Sequence, residues 1–388
     1  MYKCLMLISR GLEKAAEENI LEIIPQAKMI TLNDGAIIFE LDKIEQLCEL
    51  SYMSQIANRI LILISEDTFT DYDDMKGKLS CLDKKSLDGI MPLIKDGLSF
   101  RTVAKVYDEV FDIPEIEKDV GSKIYSMFED ENKILHVDLK TPDIVFYIHV
   151  FDKHYYMGLD ISGDLSKRDY RIFNSPMSVK GTTAFGVLKI AGYKQKDVLL
   201  DTFCNSGTVC IEAALYSSRL SPRFFNKKFP FMKLSIFDDE SLEDFFNKID
   251  GDAGEEKLRI TAADTLLKNI TAAKKNAKIA GVEKFMEFRR IDTDWLDLKF
   301  EERTVDKIIT FIPGSSKHKS ESALEKSYKE FFYQSEYILK NSGHVIILCL
   351  NKDKILEMSK EHFMLDKECS FNSGEQSMTV LIFKKVKR

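Results

Sequence analysis

Apolar and polar residues alternate in a regular order over the first 65 positions of the chain. Alternating apolar runs predict strands at Tyr2–Ile8, Ala36–Leu41 and Ile60–Ile64. Apolar residues spaced three or four apart predict helices over Leu12–Ile23 and Ile44–Met53. With a further strand before the turn that leads to Ala36, the order is β-α-β-β-α-β, which predicts helices packed on one small sheet.

A second α+β pattern occupies residues 66–158. It opens with a polar, acidic stretch that ends in a predicted helix at Asp83–Met91. Ser99–Lys105 then alternates as a strand, Val110–Met127 has helical spacing, and Leu135–Val150 reads as two strands split by a turn at 141–143.

A different pattern begins after residue 175, where short apolar strands alternate with helices. Val198–Leu200 are apolar, Asp201 follows, and a small polar loop at 205–207 precedes a helical pattern that opens at Thr208. Strand, turn and helix in this order predict the first βα unit of a doubly wound sheet. In such a sheet a nucleotide-like ligand lies over the carboxyl end of the strand.

The same alternation continues towards the C-terminus. Arg259–Val282 reads as strand, acidic residue and helix, and Asp264 is placed to accept hydrogen bonds from ribose hydroxyls. Later segments read as elements at Phe288–Asp292, Asp306–Gly314, Tyr328–Leu339, Asn341–Leu350 and Thr379–Lys385. The residues alone therefore predict an α/β domain with a nucleotide-type ligand site that includes Asp201, Gly207 and Asp264.

Composition narrows the class of protein. The chain has 388 residues and a net charge of −7. Residues 1–158 carry 18 Lys and Arg against 29 Asp and Glu, a net charge of −11, and the remainder carries +4. This distribution argues against strong nonspecific RNA binding by the N-terminal half. The seven cysteines are scattered and never spaced C-x-x-C, and the chain has no long apolar run, so we expect reduced thiols, no metal, no membrane and a cytoplasmic location.

Several short motifs resemble those of one enzyme family. Residues 201–208, D-T-F-C-N-S-G-T, resemble D-P-F-C-G-S-G-T, which is motif I of class I S-adenosyl-L-methionine (SAM) methyltransferases among the guanine-N2 RNA methyltransferases with a THUMP domain. Ser99–Lys105 and Val137–Asp143 are similar to a THUMP strand and its V-D-L-x-x-P-D turn, and Asn276–Val282 is similar to the family's N-A-x-x-A-G-V helix exit. The resemblance spans nearly the whole chain.

The resemblance implies four parts. These are an N-terminal ferredoxin-like domain (1–65), a THUMP domain (66–158), a linker (159–174) and a Rossmann-like class I methyltransferase domain (175–388). The resemblance gives the last domain an α/β fold with a seven-stranded mixed sheet that ends in an antiparallel hairpin. It also implies SAM as the cofactor. The SAM-binding positions that it indicates are Asp201, Phe203, Asn205, Gly207, Thr208, Asp264, Asp292, Thr293, Thr310 and Thr182. Asp292 would bond the adenine amino group, although the alternative of a helix cap before Trp295 stays open. Thr182 lies in a predicted helix, Ser175–Leu188, that lines the amino-acid end of SAM in the family.

The linker carries the clearest candidate RNA contacts. Residues 163–171, G-D-L-S-K-R-D-Y-R, resemble the family's L-x-K-R-G-Y-R segment and place cations beside a tyrosine. Such a cluster suits phosphate contact with one stacking ring, and the alternative is a solvated helix end. The RNA-binding candidates are Lys167, Arg168, Tyr170 and Arg171 of the linker, Arg101 and Lys105 of the THUMP strand, and Lys317 and Lys319 of a later loop.

Two further observations leave alternatives open. The acidic residues that follow Lys105 allow the THUMP module to be a spacer with little RNA contact. In the insertion between Ser217 and Lys257, basic residues alternate with phenylalanines. That alternation suits either single-stranded nucleotides or a packed hairpin.

The strand end at 311–314 departs from the family. Amino-methylating relatives place Asn or Asp, then a proline and an aromatic residue, where this chain has Phe311, Pro313 and Gly314. The carboxamide or carboxylate and a backbone carbonyl accept hydrogen bonds from the target NH2 group there. Only Pro313 persists, and it is the one catalytic candidate.

Two hypotheses follow. The first is a SAM-dependent methyltransferase that acts on the N2 amino group of a guanosine in structured RNA, either tRNA or 23S rRNA. The second is a catalytically weak or inactive paralogue that binds RNA or a protein partner. We expect a monomer and disfavour DNA as a substrate, because a DNA adenine methylase needs the same missing acceptor.

Overall fold

The computed structural model describes residues 1–107, 111–175, 177–254, 257–314, 321–373 and 376–386. Two sheets organise these residues, one of eight strands in the N-terminal half and one of seven strands in the C-terminal half. Among the described residues, no helix is both long enough and apolar enough to cross a membrane.

The N-terminal sheet contains the first eight strands. They are β1 (Tyr2–Leu7), β2 (Lys28–Asn33), β3 (Ala36–Leu41), β4 (Arg59–Thr68), β5 (Ser99–Val106), β6 (His136–Val137), β7 (Ile144–Phe151) and β8 (His154–Asp160). Their spatial order is β2-β3-β1-β4-β8-β7-β5-β6. The helices of this half are α1 (Glu13–Ile23), α2 (Ile44–Met53), α3 (Tyr72–Ser80) and α4 (Ile113–Glu129).

The strand β4 joins the two predicted N-terminal modules. It pairs antiparallel with β1 on one side, where Leu61 lies opposite Leu5, and with β8 on the other, where Leu61 lies opposite Asp160. The sequence-based boundary between residues 65 and 66 falls inside this strand. The ferredoxin-like and THUMP modules therefore share one continuous sheet.

Two sequence-based helices differ from the structure. The segment Asp83–Met91 forms two short 3-10 turns, Lys84–Leu87 and Met91–Leu93, rather than one helix. The start predicted at Val110 lies outside the described residues. Helix α4 begins at Ile113, after Asp112 caps it and before Pro114, which is tolerated in a first turn.

The C-terminal half contains the other seven strands. They are β9 (Leu199–Asp201), β10 (Ile260–Asp264), β11 (Met286–Arg290), β12 (Val305–Phe311), β13 (Leu339–Cys349), β14 (Phe363–Ser373) and β15 (Gln376–Lys385). The order is β11-β10-β9-β12-β13-β15-β14, and only the pairings of β15 are antiparallel. The helices are α5 (Gly181–Ile190), α6 (Thr208–Ser218), α7 (Asp239–Asp250), α8 (Leu267–Ile279), α9 (Glu321–Ile338) and α10 (Asp353–Ser359). The predicted seven-stranded α/β fold is confirmed.

The insertion before α7 is packed against the N-terminal half. It forms a 3-10 turn, Pro230–Lys233, rather than a hairpin, and the ring of Phe229 stacks on Phe231 with centroids 5.0 Å apart. Tyr52 of α2 meets Phe246 of α7 edge-on, with centroids 4.9 Å apart. These buried rings stabilise the junction, so packing is the alternative that describes Phe229 and Phe231.

Candidate cofactor and RNA site

The loop after β9 lies where three parallel strands end side by side. Asp201 is the last residue of β9, and its buried carboxylate accepts hydrogen bonds from Thr310 Oγ1 at 2.7 Å and from the Phe203 backbone at 3.2 Å. Thr310 is on β12, the neighbouring strand, and its hydroxyl also accepts a bond from the Phe203 N–H at 3.2 Å. The start of the loop is therefore held by two adjacent strands.

Asp264 holds the same loop from the other side. It ends β10, and its carboxylate accepts bonds from the Asn205 N–H at 3.1 Å, from Asn269 Nδ2 at 3.0 Å and from the Leu266 N–H at 2.9 Å. The two carboxylates thus fix the loop between them, with Asp264 also tying it to the start of α8.

The loop needs unusual backbone conformations. Asn205 has φ +51° and Gly207 has φ +83°, both in the left-handed region where asparagine and glycine are best tolerated. A Cβ atom on Gly207 would lie 2.8 Å from the Cβ of Ala273 on α8. Thr208 follows as the first residue of α6, so its backbone and those after it point their N–H groups towards the loop.

The electrostatics of Asp201 are unusual. Burial raises the pKa of its carboxyl to about 7, and the nearby charge of Asp264 adds to this effect against the hydrogen bonds from Thr310 and Phe203. A carboxylate in this position is stabilised by any cation that binds next to it.

Two buried threonine hydroxyls near the loop point to a bound polar ligand. Thr182 in the first turn of α5 and Thr202 after β9 are almost fully buried, and neither Oγ1 has a hydrogen-bond partner among the described residues. The segment before α5 contacts the loop directly, since Ser178 Oγ lies 2.5 Å from Ser206 Oγ. Buried polar groups are normally paired, so these hydroxyls fit a ligand that completes the site. The helix predicted over Ser175–Leu188 is shorter at its start in the structure, where α5 begins at Gly181.

Asp292 and Thr293 lie at the end of the next strand, β11. Asp292 precedes a 3-10 turn, Thr293–Trp295, and its carboxylate accepts a long bond of 3.5 Å from the Asp294 N–H. Ile291 is tied to Asp264 by a backbone hydrogen bond of 3.2 Å. The capping alternative therefore describes the structure, and contact of Asp292 with an adenine stays a prediction.

The linker forms a buried ionic cluster, made of Gln55, Arg168, Tyr170 and Glu212. Both charged side chains are completely buried, with Arg168 Nε 2.7 Å from Glu212 Oε1. The Tyr170 hydroxyl donates to the same Oε1 at 2.7 Å, and Gln55 Nε2 donates to Oε2 at 2.7 Å. Gly181 makes room for the pair, since a Cβ there would lie 2.5 Å from Glu212 Oε1.

This cluster corrects two predicted RNA contacts. Arg168 and Tyr170 are buried and bonded within the chain, so they are not placed to meet phosphate or to stack on a base. Arg168 also donates to the backbone carbonyls of Gln55 and Leu165. Their role is to join α2, the linker and α6.

The other predicted RNA contacts are distributed over two surfaces. Lys167 beside the ionic cluster is 81% exposed at its side chain, and Arg171 is half-buried with a long bond to the Ser178 carbonyl. Lys105 is exposed on β5, and Arg101 on the same strand donates to the Leu139 carbonyl at 3.0 Å. Lys317 and Lys319 lie outside the described residues.

Comparison with known proteins identifies the family. A model described as an RMKL-like methyltransferase domain matches residues 168–378, more than half of the chain. The chain belongs to this family. A THUMP domain model also matches residues 70–160. The RMKL-like methyltransferase family that motif I indicated, its α/β fold and SAM as the cofactor are thereby confirmed.

Individual relatives match along much or all of this RMKL-like chain. The tRNA (guanine(6)-N2)-methyltransferase of Methanocaldococcus jannaschii is 29% identical over 95% of this chain and 96% of its own. The enzyme of the same name from Archaeoglobus fulgidus is 24% identical over 88% of this chain and 81% of its own. A ribosomal RNA large subunit methyltransferase K/L of Pseudoalteromonas atlantica is 24% identical, over 75% of this chain and 41% of its own length.

Solved structures share the fold over the whole chain. A possible methylase from Clostridium difficile 630 has a TM-score of 0.82 at 21% identity and covers 100% of this chain and 99% of its own. TrmN from Thermus thermophilus has a TM-score of 0.71 at 20% identity, with complete coverage of both chains. Both span the two halves of the RMKL-like chain, so the arrangement of the N-terminal sheet and the methyltransferase sheet recurs in these proteins.

Sequence reasoning missed the partner of Arg168. Glu212 is a lone acid in the otherwise apolar or small stretch Val209–Ala214 of α6. An acid inside a fully buried helix needs a cationic partner, and that signal was present in the sequence. Nothing in the sequence singled out Gln55, which lies 157 positions from Glu212.

Proposed function

We propose that this RMKL-like methyltransferase transfers the methyl group of SAM to the N2 amino group of a guanosine in structured RNA, with tRNA as the first candidate. The observation that carries the proposal is the loop held between Asp201 and Asp264, beside the unpaired hydroxyl of Thr182. It is supported by the relatives in M. jannaschii and A. fulgidus, which are named for this reaction on tRNA. We favour tRNA over ribosomal RNA because the K/L relative matches over less than half of its own length.

The proposed cofactor fits the donors and acceptors of the site. Asp264 at the end of β10 stands where a ribose hydroxyl donates in nucleotide-binding sheets. The N–H groups at the start of α6 and the free hydroxyl of Thr182 suit a carboxylate. The carboxylate form of Asp201, whose pKa is raised to about 7, is stabilised by a cationic neighbour. When bound, SAM supplies a methyl group on a positively charged sulfur, which leaves as a neutral thioether.

The task left to the protein is to position the guanine. In the transfer, the N2 nitrogen forms a bond to the methyl carbon as the carbon–sulfur bond breaks, and one N2 proton passes to water. Holding the two reactants in line converts a bimolecular reaction into an effectively unimolecular one. The end of β12, next to Asp201, is the part of the site that we expect to contact the guanine during this transfer.

We propose that the two halves divide the work within one chain. Residues 1–65 and 66–158 hold the RNA, the linker 159–174 connects them, and residues 175–388 bind SAM and catalyse transfer, in the cytoplasm. Lys105 and Lys167 are the exposed lysines among the described residues that the sequence predicted as RNA contacts. The inactive-paralogue alternative is less favoured, because a chain that had lost SAM would not need two buried carboxylates and a buried, unpaired threonine hydroxyl around one loop.

The experiment has two stages. Titration calorimetry with SAM comes first, with Asp201→Ala as the variant, and we expect micromolar binding that the variant loses. Methyl transfer from labelled SAM to tRNA transcripts follows, comparing guanosine with adenosine at position 6. The absence of binding at millimolar SAM would contradict the proposal, and equal labelling of both transcripts would contradict its guanosine target.

A further inference from the structure

The end of β12 lacks a side chain that could orient an amine. An exocyclic amine on a guanine donates its lone pair into the ring, so hydrogen-bond acceptors must hold its N–H groups for the lone pair to face the methyl group. Phe311 and Ile312 are apolar and buried, and the hydroxyl of Thr310 is already bonded to Asp201. The described residues from Phe311 to Gly314 carry no polar side chain, so a side-chain acceptor for the amine has to come from another element.

Helix α9 brings a hydroxyl to that carbonyl. Tyr328 Oη lies 2.5 Å from the Pro313 carbonyl oxygen and donates to it. Residues three apart on a helix share a face, and Phe331, three residues after Tyr328, packs its ring 5.9 Å from that of Phe203 in the cofactor loop. Tyr328 therefore lies between the cofactor loop and the end of β12.

The bond to the Pro313 carbonyl fixes the Tyr328 hydroxyl and leaves its oxygen able to accept another hydrogen bond. Tyr328 is only 3% exposed, which holds its ring in one place. A phenol has one donor and also accepts, so the bond to Pro313 leaves its oxygen lone pairs available. Burial raises the pKa of Tyr328 to about 12, so it stays protonated and keeps donating at neutral pH.

The end of β12 becomes more exposed towards Gly314. Ile312 is buried, Pro313 is half-buried and Gly314 is exposed. A Cβ built on Gly314 would meet no atom within 4 Å among the described residues. The bond between Tyr328 and Pro313 therefore lies where the buried strand reaches the surface of the described part of the chain.

We propose that the Tyr328 hydroxyl, oriented by its bond to the Pro313 carbonyl, accepts a hydrogen bond from the N2 amino group of the target guanine. The proposal rests on the proposed function and names the group that replaces the missing side-chain acceptor at Phe311. Tyr328 is then a catalytic residue that contacts the substrate, and Pro313 is a positioning residue. The amine proton lost on methylation passes to water and not to the protonated tyrosine.

The test compares two RNAs and three variants. Inosine differs from guanosine only in lacking the N2 amino group, so tRNA with inosine at position 6 measures the contact directly. We expect wild-type protein to bind guanosine tRNA about fivefold more tightly than inosine tRNA, the effect of about one hydrogen bond. Tyr328→Phe is expected to remove this preference and to slow single-turnover methyl transfer at least tenfold, with SAM affinity unchanged.

A matched control and a rescue separate contact from packing. Tyr333→Phe removes a hydroxyl from the exposed side of the same helix and is expected to change neither measurement. Adding Phe311→Asn to Tyr328→Phe restores an acceptor, and is expected to recover both the preference for guanosine and most of the rate.

The outcomes distinguish the inference from the function on which it rests. Unchanged rate and preference in Tyr328→Phe would overturn the inference while leaving the methyltransferase assignment intact. A slower rate with the preference for guanosine retained would also overturn it, because the hydroxyl would then act through packing. If wild-type protein binds SAM but labels no tRNA, the proposed function fails first.

Discussion

Arg168 Nε lies 2.7 Å from Glu212 Oε1, and both side chains are completely buried. Burial alone lowers the pKa of Arg168, but the charge of Glu212 outweighs it and the pKa is raised. Burial and the same carboxylate raise the pKa of Tyr170 well above its usual value. The pair joins the linker to α6, which begins at the loop held between Asp201 and Asp264.

Glu212→Gln is expected to destabilise the protein strongly. The substitution keeps the size of the side chain but leaves the Arg168 charge buried without a counterion, which costs roughly 3 to 5 kcal/mol. Urea unfolding followed by circular dichroism measures the effect. Glu131→Gln is the control, because Glu131 pairs with Lys84 and both side chains are about half exposed, 48% and 51%. That variant is expected to lose less than about 1 kcal/mol. Equal losses in the two variants would contradict the assigned role of the cluster.

Asp201→Asn is expected to flatten the pH dependence of stability. The folded carboxyl has a pKa of about 7 and the unfolded one about 4, so the folded state binds more protons between these values. The contribution of this carboxyl to the free energy of unfolding is therefore fully present below pH 4. It falls as the pH rises to 7, by up to about 1.4 kcal/mol per pH unit. Asparagine does not titrate. We expect the free energy of unfolding of the variant to rise relative to that of the wild type as the pH increases from 4 to 8. Plots of this free energy against pH that run parallel for the two proteins would contradict the raised pKa.

Asp264→Ala is expected to weaken SAM binding at least tenfold while the fold persists. The variant loses the bond that fixes the Asn205 backbone and the acceptor proposed for the ribose. Calorimetry with SAM measures the affinity, and circular dichroism verifies the fold. Asp366→Ala serves as the control, since Asp366 pairs with Lys384 on the exposed C-terminal hairpin. An unchanged affinity in Asp264→Ala would remove this residue from the site.

Lys105→Ala and Lys167→Ala are expected to weaken tRNA binding in a salt-dependent way. Each exposed cation that contacts a phosphate releases a counterion, so its loss reduces the slope of log affinity against log salt by about 1. Filter binding at several salt concentrations measures this slope. Lys360→Ala, at the exposed end of α10, is the control. A slope that is unchanged in both test variants would place the RNA on another surface.

The fold was predictable where a local pattern determines it. The strands β9 and β10 and the helices after them followed from the local apolar pattern, and the cofactor loop followed from one strand, one acid and one glycine. The seven-stranded sheet followed from the resemblance to class I methyltransferases, and no local pattern had indicated β14. The shared N-terminal sheet was not predictable, because the pairing of β4 with both β1 and β8 depends on contacts about 55 and 100 positions away in the sequence.

The site was predictable to the extent that backbone geometry fixes it. Asp201, Asp264 and Thr310 meet because parallel strands bring their carboxyl ends to one edge. Arg168 and Tyr170 were assigned to RNA because cations beside a tyrosine form the same sequence pattern in an exposed cluster and in a buried one. Only the position of Glu212 in the fold distinguishes these cases.

The strand β4 has a consequence for how a target nucleotide is selected. Because it pairs with strands of both N-terminal modules, and the ionic cluster ties the linker and the segment after α2 to α6, the distance from the N-terminal sheet to the cofactor loop is set when the chain folds. An RNA held by the N-terminal half, as proposed above, would then present the nucleotide that lies at that distance. Selection of the target would depend on length and shape measured along the RNA, without a need to read the local base sequence.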